Sequence, residues 1–139
     1  MTAPDRLLRL APTFARLALG AAFLSGVASR FGLWRLAGVG DGSFASFQQY
    51  TAEVNAFMPS WSIPFLAWAA TAAELSLGLA LVLGVWPRPV ALASAALLLI
   101  FGLAMALSLG IKSPLDYSVF SASAAALLLA VHAPPARAA

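Results

Sequence analysis

Glu74 is the residue in this sequence with the clearest capacity for chemistry, because it stands alone in the apolar run AWAATAAELSLGLALVLG. The nearest charged side chains along the chain are Glu53 on one side and Arg88 on the other. A carboxylate in such surroundings can accept a proton, hold a cation or form an ion pair, and each of these lowers the cost of its burial. The sequence therefore predicts a polar site at Glu74 whose partners come from other segments.

Arg30 is the predicted ionic partner, since its long side chain extends from the end of another apolar segment. Hydroxyl groups are the other candidate donors to the carboxylate, in Ser25, Ser29, Tyr117 and Ser121. Two interpretations stay open at this stage. The site is either a polar staple that fixes helix packing or a functional group that works through its charge or a proton.

The composition indicates the environment in which this site lies. Apolar residues make up 62% of the 139 positions and charged residues only 9%, whereas soluble chains average about 25% charged residues. So few charges could not cover the surface of a soluble domain. The sequence therefore predicts a single integral membrane domain.

Four apolar segments are long enough to cross a bilayer core of about 30 Å as helices. They span residues 12–33, 63–85, 89–109 and 114–131. The expected fold is an all-α four-helix membrane bundle. The first segment also resembles a cleavable signal peptide, but its apolar character continues past Arg30 to Trp34, which favours a retained helix.

The link between the first two segments carries apolar residues at helical spacing over residues 43–58, which predicts an amphipathic helix at the membrane interface. Glu74 lies eleven residues beyond Ile63, or about 16 Å along a helix, near the middle of the bilayer. On a helical wheel the small residues Ala67, Thr71 and Gly78 surround it. Small residues mark faces where membrane helices approach closely, so Glu74 should face the bundle interior.

Basic residues near the ends of membrane helices predict the orientation of the chain. With the N-terminus inside, the cytoplasmic side holds five of them (Arg6, Arg9, Arg16, Arg88 and Arg137) and the outer side three (Arg30, Arg35 and Lys112). We therefore expect a multi-pass protein of the cell's inner (plasma) membrane with both termini in the cytoplasm. These residues flank apolar runs and form no basic patch, so nucleic acid is not an expected partner.

The sequence lacks the motifs of familiar catalytic and metal sites. It contains no cysteine, and His132 is its single histidine, so neither a thiolate cluster nor a bis-histidine haem site can form from this chain. No catalytic or metal-binding residue is predicted. We expect no tightly bound cofactor and no enzyme activity from this chain alone.

Two stretches resemble DoxX-like membrane proteins. The first is RLALG at residues 16–20 with FLSG at 23–26 and the basic Arg30, and the second is ELSLG at 74–78 with Leu83, Gly84 and Arg88. The resemblance implies a four-helix bundle associated with redox systems, because the family includes a subunit of thiosulfate:quinone oxidoreductase and the related MauE. It also implies contact with redox proteins and a quinone.

Two functions are compatible with these residues. The first is an accessory or anchoring subunit of a membrane redox system, quinone-linked, with the bilayer and redox proteins as partners and an oligomer allowed. The second is a small transporter or proton pathway centred on Glu74. A transporter is expected to contain several ionisable residues that face the bundle interior, and only Glu74 lies clearly in the middle of a membrane segment. The accessory subunit is therefore preferred.

Overall fold

The computed structural model describes residues 3–133, and in this part of the chain every regular element is a helix. Arg137, which contributed to the predicted cytoplasmic charge, lies outside the described residues. The all-α membrane fold is confirmed. In chain order the helices are α1 (Ala3–Arg30), α2 (Leu33–Leu36), α3 (Phe44–Val54), α4 (Ile63–Leu83), α5 (Pro87–Leu109), α6 (Lys112–Asp116) and α7 (Val119–His132), with a 3-10 turn at Ser60–Ser62 before α4.

Three helices are long and apolar enough to cross a membrane: α1, α4 together with its 3-10 turn, and α5. The apolar run predicted at residues 114–131 is divided between α6 and α7, because Ser118 adopts a left-handed conformation with φ of 55°. With 14 residues, α7 is about 21 Å long, which is shorter than the bilayer core. Prolines begin α4 and α5, where a missing N–H is tolerated.

The membrane helices pack mainly in two pairs, α1 with α4 and α5 with α7. Gly20 and Gly78 let α1 and α4 approach closely: a methyl group added at Gly20 would lie 2.8 Å from Val82 Cγ2 and 3.0 Å from the Gly78 carbonyl oxygen. The core joins both pairs and contains Leu19, Phe23, Leu81, Val90, Ala91, Ala95, Ala126, Leu129 and Ala130. Close backbone approach at small residues is how membrane helices gain packing energy without a hydrophobic driving force.

The buried face of α4 is the one that the helical wheel predicts. Ala67, Thr71, Glu74 and Gly78 are buried, whereas the bulky Trp68, Leu75 and Leu79 are exposed on other faces of the helix. The predicted inward orientation of Glu74 is therefore confirmed. α4 presents Thr71, Glu74 and Gly78 to α1, together with Leu81 and Val82 opposite Gly20, and its exposed bulky residues face the lipid.

The link between α1 and α4 folds back over the bundle. Its helix α3 begins at Ser43, whose side chain accepts a hydrogen bond from Ser46 N, and it packs against α4 and α5. Just beyond α3, Ala56 N donates to Ser108 Oγ near the end of α5, at 3.3 Å. This placement sets α3 against α1, α4 and α5, close to the C-terminal end of α5.

Candidate functional site

Arg30 and Glu74 form an ion pair inside the bundle, between the last residue of α1 and the middle of α4. Their side chains are 9% and 10% exposed. The pair therefore joins two charges that would each be costly in the membrane, and together they carry no net charge. Their neighbour on α1 is Gly26, where an added methyl group would lie 3.9 Å from the guanidinium and 4.0 Å from the carboxylate.

Two further side chains hold the guanidinium in place. Arg30 Nη1 donates to Thr71 Oγ1 at 2.9 Å, and this hydroxyl in turn donates to the Ala67 carbonyl at 2.8 Å. The Arg30 guanidinium carbon lies 3.5 Å from the centre of the Phe47 ring of α3. A cation over an aromatic face is attracted by the ring quadrupole, and the attraction grows when water is excluded. Arg30 is thus bound to α4 and α3 at once.

The other predicted donors occupy different places. Ser25 Oγ accepts from Trp34 Nε1 at 3.1 Å, which ties α2 back to α1. Ser29 is half-buried near Gly42 of the link. Tyr117 is 73% exposed, and Ser121 is exposed as well. The hydroxyl group on the ion pair is instead that of Thr71, which is one helical turn before Glu74 and therefore lies on the same face of α4.

A cavity of about 430 Å³ opens beside the pair, between α3, α4 and α5. Its lining is mostly apolar, with the pair on one wall and four residues of α3 on another. The lining residues are Arg30, Phe47, Tyr50, Thr51, Val54, Asn55, Leu66, Ala69, Ala70, Ala73, Glu74, Leu97, Ile100, Phe101, Ala104 and Met105. Its volume falls in the range of about 300–1,000 Å³ that is usual for sites of small organic ligands.

The cavity reaches the lipid-facing surface. Ile100 is 61% exposed and Ala69 is exposed, and both also line the cavity.

On the α3 side, burial raises the pKa of Tyr50, and the charges of Tyr117 and Glu53 raise it further. The Tyr50 hydroxyl therefore stays protonated at neutral pH and is a hydrogen-bond donor at the rim.

The carboxylate of Glu74 is not fully hydrogen-bonded. Arg30 Nη2 contacts Oε2 as an ion pair, and no other donor among residues 3–133 reaches this buried oxygen. A carboxylate has about four acceptor positions on its two oxygens, so the guanidinium does not use all of them. The site therefore has unused capacity to accept a hydrogen bond.

Residues 3–133 contain no group of three His, Cys, Asp or Glu side chains that could hold a metal ion. His132 is exposed at the end of α7, with Nδ1 2.8 Å from the Leu128 carbonyl oxygen. Among residues 3–133, the buried charged side chains are Arg30 and Glu74.

The model of the protein family described as DoxX matches residues 11–106 of the chain. The matched region extends from α1 to the last turn of α5 and includes Arg30, Phe47, Thr71 and Glu74. No curated protein and no solved structure matches the chain at a significant level.

Proposed function

Because this chain belongs to the DoxX family of membrane proteins, we propose that it is an accessory or anchoring subunit of a quinone-linked redox system in the inner membrane. The observation that carries the proposal is the fixed Arg30–Glu74 ion pair, which has no net charge, beside an apolar cavity that reaches the lipid. The sequence has no cysteine and one histidine, so the electron-carrying groups are expected on a partner protein.

The residues of the cavity fit a quinone as a weakly held ligand. Its apolar walls match a lipid-soluble ring and tail, and the Tyr50 hydroxyl matches a carbonyl oxygen that needs a donor. A quinone supplies the membrane with a mobile carrier of electrons and protons. This chain would contribute the apolar surface and the donors, and the partner would contribute the redox chemistry.

A proton pathway centred on Glu74 is the alternative, and the geometry supports it less. A relay needs a series of titratable side chains that exchange protons. The cavity lining contains one carboxyl group, that of Glu74, which is paired with Arg30. Thr71 and Phe47 hold that pair in one arrangement, which suits recognition better than transport.

Affinity purification from native membranes tests the accessory role. The tagged chain, extracted in a mild detergent, is expected to copurify with a redox enzyme whose activity falls when the chain is deleted. A tagged multi-pass membrane protein of unrelated fold, expressed at the same level, is the control for nonspecific recovery. Recovery of no redox protein above that control, together with unchanged membrane redox activities after deletion, would contradict the proposal.

The proposed orientation places both termini in the cytoplasm. Reporter fusions after Arg88, in the first turn of α5, and after Ala139 should both report a cytoplasmic position, because basic residues at helix ends are retained on that side. A fusion within the link, after Asp41, should report the opposite side. A periplasmic signal after Arg88 would invert the whole topology, and one after Ala139 alone would show that α7 does not cross the membrane.

A further inference from the structure

We propose that the cavity beside Glu74 binds an uncharged, lipid-soluble molecule through a hydroxyl group that donates a hydrogen bond to the Glu74 carboxylate. The inference rests on the cavity and the pair alone and requires no redox partner. It goes beyond the weakly held quinone described above, because it assigns a hydroxyl donor to the head group of the ligand and Glu74 as its acceptor.

The unused acceptor on Glu74 is the first step of the argument. Glu74 is 7% exposed and lines the cavity, and apart from Arg30 its Oε2 has no donor among the described residues. Two other donors that line the same cavity are used elsewhere: Asn55 Nδ2 donates to the Thr51 carbonyl at 2.9 Å, and Thr51 Oγ1 donates to the Phe47 carbonyl at 2.7 Å. A donor brought by a ligand would complete the hydrogen bonding of the carboxylate.

The charge balance at the site selects a neutral ligand. Arg30 already compensates the charge of Glu74, so a cation would add an unpaired positive charge beside a guanidinium, and an anion would face a carboxylate. Both would be desolvated by walls formed largely from Leu97, Phe101 and Met105. A hydroxyl group is a donor that carries no charge, and it can be delivered on an apolar molecule.

The route into the cavity selects a ligand that is dissolved in the membrane. Ile100 and Ala69 belong both to the cavity lining and to the lipid-facing surface. A molecule that partitions into the bilayer can therefore enter sideways between α4 and α5. Its ring or chain would occupy the apolar part of the cavity while its hydroxyl reached Glu74.

A matched pair of probes tests the role of the hydroxyl. The protein is reconstituted in lipid nanodiscs, and binding of 4-hexylphenol and of its methyl ether, 4-hexylanisole, is measured by calorimetry with empty nanodiscs subtracted. The ether keeps the shape and apolarity of the phenol but has no donor. We expect the phenol to bind roughly tenfold or more tightly, since hydrogen bonds to charged groups are among the stronger ones.

Two variants locate the binding. Ala73→Leu fills the cavity from α4, whereas the adjacent Ala72 is exposed on the lipid side of the same helix, so Ala72→Leu is the matched control. Phenol binding should fall at least tenfold in Ala73→Leu and stay unchanged in Ala72→Leu. In Glu74→Gln the preference for the phenol over the ether should shrink, because a neutral amide oxygen is a weaker acceptor.

Each outcome decides the proposal. Equal affinity for the phenol and the ether would show a lipid-filled apolar groove without recognition and would overturn it. Binding that survives Ala73→Leu, or no binding of the phenol by the folded wild-type protein, would overturn it as well. If Glu74→Gln does not give a folded protein, the two alanine variants and the probe pair still decide the matter.

Discussion

Glu74→Leu is expected to lower the free energy of unfolding by about 3–5 kcal/mol, because it leaves the Arg30 guanidinium buried without its counter-charge. The loss is measured by denaturant titration in mixed micelles. Ser76→Leu is the control, since Ser76 is an exposed residue of the same helix whose hydroxyl bonds only to the Ala72 carbonyl. It should change stability by no more than about 0.5 kcal/mol.

Replacing both partners is expected to recover a large part of that loss. In Arg30→Met/Glu74→Leu no buried charge remains, and apolar replacements of a buried ion pair are often neutral or stabilising. The double variant should therefore be more stable than Glu74→Leu alone, and the two single changes should not be additive. Strict additivity of the two effects would mean that the pair does not act as a unit.

Glu74→Gln is expected to abolish function while the protein still inserts and accumulates. Glutamine keeps the size and the hydrogen-bonding groups of glutamate, so Thr71, Phe47 and the amide oxygen can still hold Arg30, but the negative charge is lost. The assay is complementation of a deletion strain, with abundance measured in the membrane fraction. Glu53→Gln, which removes an exposed carboxylate from α3, is the control and should complement fully.

The comparison of variants separates a functional site from a packing staple. If the pair only fixes helix packing, Glu74→Gln should be nearly silent and Arg30→Met/Glu74→Leu should also complement. If the charge is used, both should fail although both accumulate. A Glu74→Leu protein that accumulates normally and complements would contradict both interpretations, because neither the charge nor the packing would then matter.

The inward face of α4 could be predicted from the sequence, because the periodicity of small residues around Glu74 is a local property of one helix. Arg30 could be predicted as the partner of Glu74 from the length of its side chain and its positive charge. Thr71 lies on the same face of α4, and its hydroxyl accepts a hydrogen bond from Arg30, whereas the hydroxyl groups predicted for the site belong to other segments of the chain. Its position one turn before Glu74 was the signal that could have identified it.

The contact of Phe47 with Arg30 could not be predicted in the same way. It depends on how the link folds back over the bundle, and that is decided by long-range packing of α3 against α4 and α5. The cavity has the same origin, because three helices enclose it and no single segment describes it. Likewise, the break between α6 and α7 results from the left-handed backbone at Ser118, which few residues other than glycine adopt readily.

The pairing of Arg30 with Glu74 has a consequence for the biogenesis of the protein. Arg30 is the last residue of α1 and Glu74 follows 44 positions later, which corresponds to about 2–9 s of synthesis at roughly 5–20 residues per second. During that interval Arg30 can remain hydrated at the membrane surface, because it ends its helix. Glu74 lies in the middle of α4 and cannot stay hydrated at the membrane surface in the same way. We therefore expect α4 to leave the insertion machinery only together with α1, so that the first helix acts as an intramolecular chaperone for the second span.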